Sequence, residues 1–106
     1  MDLLNDLADL IDKLNTSVKQ VRKSGSEYAE ADREYKTKLA TKILELEAEG
    51  RPVTNLLYIT RGDKEVADAK VRQISKEAIY KANLEAINSL KLQIKVLDAQ
   101  IQREYE

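Results

Sequence analysis

The chain has 106 residues, with 18 Lys plus Arg against 19 Asp plus Glu, and contains no His, Cys, Trp or Phe. A chain of this length fits one domain rather than two. With neither thiol nor imidazole, zinc-finger and haem ligation and Ser-His-Asp or Cys-His catalysis are excluded. Three Gly and one Pro are too few for the turns of a β-sandwich or barrel, and a formal charge of −1 gives no global basic footprint for nucleic acid.

The first segment reads as an amphipathic helix from about Asp2 to Lys23. Leu3, Leu7, Leu10, Leu14, Val18 and Val21 recur at spacings of 4, 3, 4, 4 and 3, and Leu4 and Ile11 widen the stripe. Asp2, Asp6 and Asp9 lie near the start, where the helix dipole favours carboxylates. Lys19, Arg22 and Lys23 lie where it favours cations. Four Asp in the first twelve residues deny the chain the positive region of a signal peptide. No apolar run is long enough to cross a bilayer. A cytosolic protein without membrane association is the expectation.

Ser24-Gly25-Ser26-Glu27 leaves two readings open. Ser24 and Glu27 have capping-box spacing, which would restart a helix here. Alternatively the helix runs through one tolerated Gly, at a cost of roughly 1 kcal/mol against Ala. From Glu27 to Glu49 the stripe continues as Tyr28, Ala31, Tyr35, Leu39, Ile43 and Leu46. Tyr28 to Leu39 and Tyr35 to Leu46 are each eleven residues, a repeat that favours a straight or slightly right-handed path. Gly50, with Pro52 behind it, should stop this helix.

A short helix over about 54–61 comes next. Thr54 is expected to cap it and Gly62 to end it in the left-handed conformation. Leu56, Leu57, Tyr58 and Ile59 are too apolar for a loop, so the helix should fold down as a lid. Asp63 then caps a last helix, about 64–105, with no breaker in it. Its expected main stripe is Ala67, Val71, Ile74, Ala78, Ala82, Ala86, Leu90, Ile94, Leu97 and Ile101. The small residues at Ala78, Ala82 and Ala86 should admit a close partner helix. Residues 89–96 alternate in hydrophobicity with period two, a strand template. The helical residues before them and the absence of a turn signal favour helix. On a helix, Leu92, Val96 and Ala99 then lie nearly opposite the main stripe, so this helix needs two partners.

A hairpin supplies only one. The second comes either from the first segment folding back into a three-helix bundle, or from a second copy making a dimeric four-helix bundle. The dimer is favoured, since a two-helix hairpin leaves much apolar surface wet. The fold expected is therefore all-α: a long antiparallel helical hairpin with a short connecting helix, forming one domain over 1–106. Ala78, Ala82, Ala86, Leu92, Val96 and Ala99 are its candidate oligomer or partner interface.

The remaining motifs carry little chemistry. The Asp2–Asp12 and Glu27–Glu34 carboxylates read as solvated helix faces, and without His they lack the Glu-x-x-His of a di-iron bundle. No catalytic constellation, metal site or cofactor motif emerges. Arg61-Gly62-Asp63 spells an adhesion tripeptide, but its Gly and Asp are accounted for by helix ends. Arg51, Arg61 and Lys64 are the candidate nucleic-acid contacts, with Tyr58 as the one aromatic near them.

The stretch EGRPVTNLLYITRGDKEVADAK, followed by AIYKANLEAINSLKLQIKVLDAQIQREYE, resembles small helical proteins of phages and prophages of Gram-positive bacteria. These are about a hundred residues long and sit among early, DNA-metabolism genes. The resemblance rests on Gly50, Pro52-Val53-Thr54, Arg61-Gly62-Asp63, Val66-Ala67, Tyr80 and Glu85-Ala86-Ile87-Asn88-Ser89-Leu90. It covers about the last 60 residues. It implies a protein made in the host bacterial cytosol during infection, and it brings no activity with it. The function expected is a non-enzymatic interaction module, an adaptor or inhibitor of a host or phage protein. The alternative is an accessory DNA- or RNA-binding protein in phage recombination or replication.

Overall fold

The structure, a computed structural model, describes residues 2–105, and of Val53 the backbone alone. It is all-helical, with no strand among the described residues. Helix α1 spans Leu3–Ala48, α2 Val53–Gly62 and α3 Lys64–Glu104. The period-two stretch at 89–96 lies inside α3.

Helix α1 runs unbroken through Ser24-Gly25-Ser26. Ser24 is not a cap. Its hydroxyl donates to the Val21 carbonyl at 3.2 Å, the local back-bond by which serine is accommodated within a helix. Residues before Ser24 therefore do not form a separate third helix. Asp2 caps α1, its carboxylate accepting from the Leu4 and Asn5 amides at 3.1 and 3.2 Å.

At its far end α1 closes in a Schellman motif. The Gly50 amide donates to the Glu47 carbonyl at 3.0 Å and the Arg51 amide to the Leu46 carbonyl at 3.2 Å. Gly50 has φ 78°, a conformation that any Cβ would strain. Two details of the connection differ from expectation. Helix α2 starts after Pro52, not after Thr54, and no side chain caps it. Pro52 stands at the cap position itself in an extended conformation (φ −61°, ψ 134°), and its carbonyl accepts from the Asn55 amide at 3.2 Å. Gly62 is not left-handed, because α2 passes into α3 through Asp63 in an extended conformation (φ −65°, ψ 135°). Asp63 does cap α3, accepting from the Val66 amide at 3.3 Å through its carboxylate.

The chain divides into two compact units. Unit 1 is Met1–Ser24 with Ile79–Glu106, and unit 2 is Gly25–Ala78. In unit 2 the α1 and α3 segments run antiparallel, as the cross-helix pairs Glu27–Lys76 (3.2 Å) and Glu34–Arg72 (2.7 Å) show. Helix α2 adds a third element, and every buried apolar residue among those described belongs to this unit. Leu56, Thr60, Val66, Ala69, Ala31 and Leu46 are all at most 5% exposed. The Thr60 hydroxyl satisfies itself on the Leu56 carbonyl at 2.6 Å, so it is buried without an unpaired donor. The lid expected of α2 is thus half right. Leu56 is buried and Ile59 half-buried, but Leu57 and Tyr58 point outward, at 45% and 85% exposure.

Unit 1 has only the two antiparallel helical segments. Leu3, Leu7, Leu10, Leu14, Val18 and Val21 of α1 are half-buried, in the expected stripe. On α3 the inward residues are Tyr80, Asn83, Ile87, Leu90, Ile94, Leu97 and Ile101. Their spacing alternates between 3 and 4, which is the heptad seam of a coiled coil. In unit 2 the inward residues of α3 are Val66, Ala69, Gln73 and Lys76, again at 3, 4 and 3.

The expected main stripe on the first half of α3 is therefore misplaced. Val71 and Ile74 are 64% and 54% exposed, and Ala78, Ala82 and Ala86 are exposed as well. The seam runs instead through polar residues that apolar counting passes over. Gln73 donates to Asp32 at 2.5 Å, and Asn83 donates to the buried Ser24 hydroxyl at 2.9 Å. Each pair satisfies groups that would otherwise be costly to bury.

Candidate interaction surface

The heptad seam has a direct consequence for unit 1. It turns Leu92 and Val96 away from the α1 segment, leaving them 63% and 59% exposed. Large apolar side chains at this level of exposure, side by side on one helix, mark association surfaces more than isolated ones do. They border an open groove of about 560 Å³. Leu10 and Leu97 line it with them. Asp6, Asp9 and Lys13 edge it on α1, and Gln93 and Gln100 on α3. The groove is thus lined by apolar and polar side chains from both segments.

The six candidate interface residues fall into two sets. Leu92 and Val96 meet at the groove, and Ala99, one turn further on α3, is exposed beside them. Ala82 and Ala86 are exposed on the first part of α3 in unit 1, and Ala78 is exposed in unit 2. None of these three Ala is used in helix packing within its own unit.

The three candidate nucleic-acid contacts, all in unit 2, are not brought together in one cavity. Arg61 lines a cavity with Tyr35, Val66, Ala67 and Lys70. Lys64 lines another with Thr37, Lys42 and Asp63. Arg51 pairs with Glu49 at 3.7 Å. The Lys70 ammonium stands 4.7 Å from the centre of the Tyr35 ring and donates to Gln73 at 2.8 Å, so it already has partners.

Several of unit 2's charges are engaged locally. Lys36, with the Gln73 amide, holds the Asp32 carboxyl below its ordinary range. Arg33 does the same for Glu30. The Asp63 carboxyl is lowered chiefly by the Val66 amide it caps, with Lys42 at 3.4 Å adding to this. Among the described residues no group of three or more carboxylates converges where it could hold a metal ion. Among them, too, no helix is long and apolar enough to cross a membrane.

Comparison with known proteins yields no match: no protein family, no curated protein and no solved structure is similar to this chain.

Proposed function

We propose that this chain is a non-enzymatic protein-interaction module that pairs with a second copy of itself through unit 1, bringing four helical segments together. The observation that carries this reading is the pair Leu92 and Val96. They are more than half exposed, beside a groove that Leu10 and Leu97 also line, in a unit of only two helical segments. Burying two such side chains is worth about 1.5–3 kcal/mol each, which an interface recovers and solvent does not. The resemblance to small phage proteins supplies the setting: a protein made in the bacterial cytosol that acts as an adaptor for, or inhibitor of, a host or phage protein.

Light scattering on the purified chain tests the reading. The expected mass is that of two chains at micromolar concentration, falling to one chain in the Leu92→Glu, Val96→Glu double variant. A one-chain mass for the unaltered protein at every concentration refutes it. A tight, salt-dependent shift of single-stranded or duplex DNA, weakened by Arg51→Ala, Arg61→Ala and Lys64→Ala, would replace it with the nucleic-acid reading.

A further inference from the structure

The exposed side of α3 in unit 1 holds a second heptad row, separate from the seam. Glu85, Ser89, Leu92, Val96, Ala99 and Arg103 follow one another at spacings of 4, 3, 4, 3 and 4, and all six are exposed. Only the row's middle is large and apolar. Its outer positions carry one acid and one base, and among the described residues neither Glu85 nor Arg103 has an ion-pair partner within the chain.

The row is self-complementary about Ile94. Leu92 and Val96 stand two residues to either side of it, Ser89 and Ala99 five, and Glu85 and Arg103 nine. A two-fold contact puts residue i of one copy on residue j of the other, and j on i. An antiparallel crossing at Ile94 therefore stacks Leu92 on the partner's Val96 twice. It sets Ser89 against Ala99, small on small, and places Glu85 beside the partner's Arg103 at both ends. A parallel crossing in register would put Glu85 against Glu85 and Arg103 against Arg103. Like charges across a contact disfavour that orientation.

We infer that the second copy docks antiparallel on the outer side of α3, with the two-fold axis at the level of Ile94 and Glu85–Arg103 ion pairs at the two ends of the contact. This rests on the self-pairing reading above and adds its orientation. Leu92 and Val96 supply the affinity. The rim ion pairs contribute little to it and select direction. The row spans roughly 27 Å of helix, which sets a contact at the small end of specific interfaces.

The chain has no Cys, so introduced thiols report on this contact alone. Ser89→Cys and Ala99→Cys chains, mixed and oxidised, are expected to form a disulfide-linked pair of one chain of each kind. Ser89→Cys alone should link poorly, since an antiparallel crossing keeps its two copies about 15 Å apart along the axis. Charge reversal gives an independent measurement. Glu85→Arg and Arg103→Glu should each weaken self-association by about tenfold, and an equimolar mixture of the two should restore it as a mixed pair. Both positions are on an exposed helical surface, so unchanged helical circular dichroism certifies the variants. Efficient self-linking of Ser89→Cys in a chain that still has a two-chain mass overturns the orientation and leaves the self-pairing reading standing. So does failure of the charge-reversed mixture to regain mass. A one-chain mass for the unaltered protein overturns both.

Discussion

The two units use the same pair of helices and reach different ends. In unit 2 the short α2 accompanies the α1 and α3 segments, and Leu56, Thr60, Val66, Ala69, Ala31 and Leu46 are buried. In unit 1 no further element joins the pair, and among its described residues no apolar side chain falls into the buried class. Two helices give each inward side chain one opposite wall and leave its flanks wet. A third element closes one flank, and ten residues of α2 suffice for that. The comparison teaches that the buried apolar core belongs to unit 2, while exposed apolar side chains occur in both, Val71 and Ile74 in unit 2 and Leu92 and Val96 in unit 1.

Leu56→Ala strikes the enclosed unit where it is densest and should have the largest effect. A loss of about 2–5 kcal/mol is expected in urea unfolding followed by circular dichroism, independent of protein concentration. Leu92→Ala in the open unit should instead lower the melting temperature only where concentration permits self-association. If both variants behave alike, the distinction between the units fails. Gly50→Ala forces a side chain into the left-handed region at φ 78° and should cost about 1–2 kcal/mol by the same assay. Asn83→Ala removes the donor to the buried Ser24 and should cost about 0.5–1.5 kcal/mol, the net worth of an ordinary hydrogen bond.

Gly62→Ala should go the other way. Gly62 is the last residue of α2, has no positive φ, and nothing lies within 4 Å of an added Cβ. A gain of about 0.4–1 kcal/mol is expected, and a loss would mean that the connection between α2 and α3 is strained after all. Smallest is the response to acid. The Asp63 carboxyl is lowered in the folded chain, so its stabilising contribution is present above its ordinary pKa of 3.8. That contribution is lost as pH falls through the lower native value. Asp63→Asn should flatten the acid limb of stability in that window. An unaltered limb would mean that the carboxylate contributes nothing beyond a neutral cap.

What was legible in the residues tracks how much each position depends on its neighbours in sequence. The helical class, the stop at Gly50 and the cap at Asp63 follow from local punctuation and were readable, whereas the unbroken course of α1 through Ser24-Gly25-Ser26 was left open. The α1 stripe was readable too, because Leu3, Leu7, Leu10, Leu14, Val18 and Val21 put an apolar side chain on the inward face at every turn up to Val21. On α3 the stripe was misread from Val71 to Ala86, since the true seam passes through Gln73, Lys76 and Asn83. Apolar counting moves to the Ala positions when the inward residue is an amide whose partner, Asp32 or Ser24, is over forty residues away. Counting heptads back from Ile101 and Leu97 would have found it. Thr60 was missed for a related reason. A hydroxyl reads as polar, yet one bonded to the carbonyl four residues earlier buries as easily as an apolar group. The outward placement of Leu92, Val96 and Ala99 needed only the helical angle, so it was visible without any tertiary information.

The half-wet seam of unit 1 also governs how backbone amides there meet solvent. Segments with few enclosed contacts open locally at less free energy than the whole chain needs to unfold. Deuterium should thus enter the amides between Ile87 and Ile101 sooner than those between Val66 and Gln73. On the proposed self-pairing, diluting the protein should quicken the first set and leave the second unmoved, because a clamp borrowed from another molecule is lost with it.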